Sequence, residues 1–168
     1  DRFKGMKHFY SAIVVDRPKT KKKLDENIKV YEGEGEFSID EKIANLSDLT
    51  GIFPLDLVVD DVLHQRFLDR AIPPLGDEKK RFDYQVNDGY ITWCIPREVI
   101  QKKTRNNKDF WIVRVTDQTC VDSKIKCWGV NSDKDNLYLN RPYIVKVNYS
   151  DQWGFSTKRG TIHWKLMG

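Results

Sequence analysis

The chain has 168 residues, a net charge of +4, and 32% charged against 39% hydrophobic residues, the balance of a globular chain and not of a disordered one. No apolar run nears the roughly 20 residues that cross a bilayer, and the opening DRFKGMKHFY has no signal-peptide core. Three cysteines, Cys94, Cys120 and Cys127, with no CxxC spacing, exclude a disulfide framework and a zinc site; they read as buried reduced thiols in an intracellular protein. The length predicts one domain or one domain with a small companion. With no initiator Met, the chain reads as a fragment or as a trimmed chain.

The elements follow in order. Residues 6–15 read as a short helix or a strand. Residues 19–31 carry Leu24, Ile28 and Tyr31 at helical spacing, ended by Gly33 and Gly35. Ser38 and Glu41 form a capping-box pattern before Ile39, Ile43, Leu46 and Leu49, and Thr50-Gly51 stops that helix. Residues 58–71 read as a further helix, broken by Pro73-Pro74. Residues 77–85 read as a polar linker.

From residue 86 the rhythm is that of strands. Segments 90–101, 109–117, 120–130, 141–150 and 158–167 are strand-like. Between them lie a polar turn at 102–108, a short helix or loop at 131–140, and a loop at 150–156. The fold class expected is α+β: a small helical region (1–76), a linker (77–85), then a five-stranded OB-fold barrel (86–168). In that barrel strands 2 and 3, with the loops joining strands 1–2 and 4–5, face oligonucleotides.

Side chains alternate across a strand. Trp111, Val113 and Val115 share one face of the second strand; Phe110, Ile112, Arg114 and Thr116 share the other. On the third strand Ile125, Cys127 and Gly129 oppose Lys124, Lys126 and Trp128. The apolar sets belong inside. The mixed set of Phe110, Arg114, Lys126 and Trp128 suits single-stranded nucleic acid, with rings for bases and cations for phosphates. Lys102, Lys103, Arg105 and Lys108 surround the first turn; Trp153, Phe155, Lys158 and Arg159 mark the last loop.

The segment VNDGYITWCIPREVIQKKTRNNKDFWIVRVTDQTCVDSKIKCWGV (86–130) resembles the OB domain of the bacterial and viral DNA polymerase III alpha subunit. It is also similar to the anticodon-binding OB domain of class II aminoacyl-tRNA synthetases. The ring those synthetases stack on falls near Ile112, and the Gly they carry after the Thr is Cys120 here. Residues 42–76 resemble, in order and size, the helix-hairpin-helix segment that precedes the polymerase OB domain. The resemblance implies a non-catalytic, bacterial or phage module that holds single-stranded DNA, with other replication proteins as further partners.

No site for chemistry stands out. Asp60 and Asp61 are neighbours on a helix and do not face each other. His8, His64 and His163 are scattered, and there is no phosphate-binding loop or nucleophile elbow. Asp117 reads as a turn cap. No cofactor or metal is expected. Two alternatives stay open: a protein-interaction barrel with Trp128 and Trp153 as anchors, and an RNA-binding barrel, for which the 2′-hydroxyl is the discriminator.

Overall fold

The structure is a computed structural model that describes residues 2–77 and 89–167. Of the linker expected at 77–85, all but Asp77 lies outside the described residues, as do 86–88. The chain divides into two compact units after Phe53.

The first unit is helical. Residues 6–15, ambiguous in sequence, are a short helix α1 (Met6–Phe9) continued by a π-helical segment, Tyr10–Val15. Helix α2 (Lys21–Val30) starts at Thr20, whose side chain accepts from the Lys23 N–H. Helix α3 (Ile39–Thr50) opens with a complete capping box: the Ser38 side chain accepts from the Glu41 N–H, and Glu41 accepts from the Ser38 N–H at 2.8 Å. It stops at Gly51, whose φ of 70° closes the last turn. Buried His8 accepts at Nδ1 from the Lys4 N–H (2.9 Å), which leaves Nε2 to donate to the Ile28 carbonyl (2.7 Å).

The second unit begins with a short 3₁₀ turn, Leu55–Leu57, and helix α4 (Asp61–Asp69), capped by Asp60. Six strands follow: β1 (Tyr90–Lys103), β2 (Asp109–Thr116), β3 (Ser123–Trp128), β4 (Tyr143–Ser150), β5 (Gly154–Thr157) and β6 (Trp164–Leu166). The class is thus α+β, helices followed by a six-stranded sheet, where the sequence suggested five strands.

β1 is long enough to serve two partners. Its first half, Tyr90 to Cys94, pairs with β4; its second half, Ile95 to Lys103, pairs with β2, and the register shifts between Pro96 and Glu98. That bulge sits at a proline, which cannot donate to a ladder. β2 pairs with β3, β3 runs parallel to β5, and β5 pairs with β4. These pairings return to β1, so the sheet is barrel-like; β6 pairs antiparallel with Tyr143 to Val145 of β4.

The end of the chain departs from the sequence pattern. Residues 150–156 were expected as a loop and 158–167 as a strand. Instead β5 starts at Gly154, because Phe155 turns into the core between Ile125 and Tyr149, its register partners. Residues 158–163 then form the turn before the short β6.

The core of this unit takes Trp111, Val113 and Val115 from β2, Ile125 and Cys127 from β3, Val145 and Val147 from β4, and Trp164 from β6. The faces are the ones the alternation of residues suggests. Helix α4 belongs here and not with residues 1–53, although the sequence pattern groups it with them: Phe67 stacks on Trp93 at 4.8 Å and 7°, both buried. The helices expected to form a helix-hairpin-helix, α3 and α4, therefore fall in different units. After α4 the chain lines the start of β1: the Trp93 N–H donates to the Pro73 carbonyl (3.1 Å) and the Leu75 N–H to the Trp93 carbonyl (3.2 Å).

Candidate nucleic-acid interface

Directly opposed residues in an antiparallel pair share a face. The register therefore defines rows on the outward face of β1, β2 and β3. One row is Lys102, Phe110 and Trp128; the next is Ile100, Ile112 and Lys126, continued by Ser156 of β5 and Asn148 of β4; the third is Glu98, Arg114 and Lys124.

Phe110 and Trp128 stack on each other, centroids 4.6 Å apart and planes 27° from parallel. Each ring gives one face to the other, so the pair offers two outer faces and not four. Ile112, half-buried, fills the second row beside them. The Lys126 ammonium lies 4.9 Å from the centre of the Trp153 ring. Trp153 is 58% exposed in the β4–β5 turn, where an aromatic residue has no core to enter. Lys126 and Trp153 thus form one cation–π pair on the rim.

Arg114 is already engaged. Nε and Nη2 donate to the two carboxylate oxygens of Asp122 (3.1 and 3.0 Å), and Nη1 donates to Glu98 (3.1 Å). Asp122 first and Glu98 second hold the guanidinium more firmly protonated than usual, and Arg114 in turn lowers the Asp122 carboxyl. Neither acid is singled out by sequence. Glu98 reaches Arg114 only because of the bulge register in β1, and Asp122 lies in the extra residues before Lys124.

The flanking cations divide. Lys102 is exposed and opposite Phe110. Lys103 points to the other face and pairs with Asp109 at 3.7 Å. Arg105 and Lys108 sit in the β1–β2 turn, closed by the Thr104 N–H donating to the Lys108 carbonyl (2.9 Å). Lys158 and Arg159 occupy the turn after β5. Its Gly160 N–H donates to the Trp128 carbonyl (2.7 Å), which brings both cations to the end of β3. Lys102, Arg105, Lys108, Lys158 and Arg159 form no ion pair among the described residues. Phe155, expected in the ligand loop, is instead 8% exposed, with its ring against Tyr149 and Tyr90.

A brace that the sequence did not single out fixes the 158–161 turn. Asp135 accepts from the Thr161 N–H (2.7 Å) and hydroxyl (2.6 Å) and from the Asn131 N–H (2.6 Å). Burial pushes its carboxyl up, but these bonds outweigh that and leave it below the usual range. Gly160 packs so close that a Cβ there would lie 2.3 Å from Asp135 Oδ2.

Asp117 caps its own turn, accepting from Thr119 and Cys120, and also accepts from the distant Gly76 N–H. The cysteines are free thiols, and burial pushes Cys120 up to about 12 and Cys127 to about 11. Among the described residues no metal-ligand group of His, Cys, Asp or Glu comes together, and no helix is long and apolar enough to cross a membrane. Compared with protein families, curated proteins and solved structures, the chain matches none.

Proposed function

We propose that the strand unit is an OB-fold module that holds single-stranded nucleic acid, DNA in the first instance, as a non-catalytic part of a replication assembly. The observation that carries this reading is the Phe110–Trp128 stack, with Lys102 on one side and the Lys158–Arg159 turn on the other. The order of pairings, β1-β2-β3-β5-β4 and back to β1, supports the OB reading, with β6 as an addition. Strands 2 and 3 and the β1–β2 and β4–β5 turns are where that fold takes oligonucleotides.

The division of labour follows from the chemistry. A base extends the stack on an outer face of the aromatic pair, and each stacked base is worth about 1–3 kcal/mol. Lys102, Lys126, Lys158 and Arg159 neutralise phosphates on either side and make binding salt-dependent. Ile112 contributes an apolar floor. The likeness of residues 86–130 to the polymerase III alpha subunit supports a place in replication.

Titration of fluorescein-labelled oligo-dT at several salt concentrations tests the reading. Binding that weakens with salt and with Phe110→Ala/Trp128→Ala is the expected result. No binding at low salt overturns it. A clear preference for the matching RNA oligonucleotide moves the ligand from DNA to RNA. Salt-insensitive association of the chain with itself or another protein favours the scaffold reading.

A further inference from the structure

The outward face holds a cation that the strand chemistry does not need. Arg114 stands at the centre of three strands and is bound by a carboxylate from each side: Glu98 from β1 and Asp122 from the turn before β3. Its contact with Asp122 is two-pronged, the geometry a phosphate would otherwise use. A phosphate approaching this guanidinium meets two negative groups about 3 Å from it. By contrast, Lys102, Lys158 and Arg159, around the aromatic pair, carry no carboxylate partner among the described residues.

We propose that Glu98 and Asp122 withhold Arg114 from the ligand and so end the binding strip. The strand's path crosses the sheet through Lys102, Phe110, Trp128 and Lys126 and does not run on along β2 to Arg114. The inference deepens the reading given above and rests on it. It assigns the two acids a specificity role: they limit how many nucleotides the module engages. It assigns Arg114 the task of tying β1, β2 and β3 together. The neighbouring Arg97 fits this division. Burial first and the charge of Arg114 second make its guanidinium easier to deprotonate, so Arg114 is repelled on this side and held by carboxylates on the others.

Two variants of the full chain separate the possibilities, each checked for its fold by near-ultraviolet circular dichroism. Glu98→Gln/Asp122→Asn frees Arg114. It should bind oligo-dT more tightly than the wild type, with a plot of log K against log salt about 0.7 steeper, the increment of one further phosphate on a single strand. Arg114→Met should leave that slope at the wild-type value. The inference is overturned if the double variant keeps the wild-type slope, or if Arg114→Met makes it shallower by about 0.7. If the wild type itself does not bind oligo-dT, the functional reading fails and this inference falls with it. If the wild type binds and only the variant slopes disagree, the inference alone falls.

Discussion

The helical unit and the strand unit both carry patterned apolar residues and bury them very differently. Up to Phe53 the apolar residues fully buried among those described are Ala12 and Ile43, while Val30 is 73% and Leu49 83% exposed. Beyond it, Trp93, Ile95, Val113, Ile125, Val145 and Val147 are each 1% exposed or less. Burial stabilises by about 25 cal/mol per Å² of apolar surface, so the strand unit draws mainly on that term. The helical unit draws more on directional bonds: the two nitrogens of His8, the Asn27 amide donating to the Ala12 carbonyl (3.2 Å), and the caps of α2 and α3. An amphipathic pattern therefore marks which residues can be helical. It does not say how much surface they hide.

Mutations in the two units should separate along this line. The largest effect is expected from Trp93→Ala, which removes a buried ring stacked on Phe67. It should cost about 3–5 kcal/mol, read as faster amide hydrogen exchange in the strands with α2 and α3 unchanged. Equal loss of protection in both regions would show that they unfold together and break the comparison. Asn27→Ala comes next. It leaves the buried Ala12 carbonyl without its donor and should cost about 1–3 kcal/mol, confined to exchange in the helical unit. Ser38→Ala removes one half of the capping box and should cost about 1 kcal/mol, seen as earlier fraying of α3.

The smallest effect sharpens the comparison through pH. The Lys7 side chain, then the Ser38 backbone and side chain, hold Glu41 down to about 2 from its usual 4.5. A carboxyl lowered in the folded state stabilises that state at pH values above its unfolded pKa. The contribution shrinks as pH falls below about 4.5 and is gone below about 2. Circular dichroism of the wild type should show helix loss across that window, and Glu41→Gln should flatten the dependence. An equally steep acid transition in the variant would assign it to other carboxylates.

How much was legible depends on the range of the interaction. The capping box of Ser38 and Glu41, the stop at Gly51 and the inward set Trp111, Val113 and Val115 are set by residues within a few positions of each other. The aromatic and basic outward face followed from the same alternation. β5 was not legible. It is four residues long, starts at a glycine, and is held between β4, just before it in the chain, and β3, about thirty residues earlier. The inward turn of Phe155 follows from that placement. The engagement of Arg114 was hidden because the register shift between Pro96 and Glu98 is what sets Glu98, the one acid of β1, opposite it. Helix α4 was readable as a helix, but its partner Trp93 lies 26 positions further on, and no local pattern names it.

The most direct measurement of the functional claim is a nuclear magnetic resonance titration of the full chain, with backbone amides and tryptophan indoles labelled, against oligo-dT. The expected result is perturbation centred on Phe110, Ile112, Lys126, Trp128 and Trp153, with Lys158 and Arg159, while α2 and α3 stay unshifted. Shifts centred on the helical unit, or none at the Trp128 and Trp153 indoles under saturating oligo-dT, would contradict it.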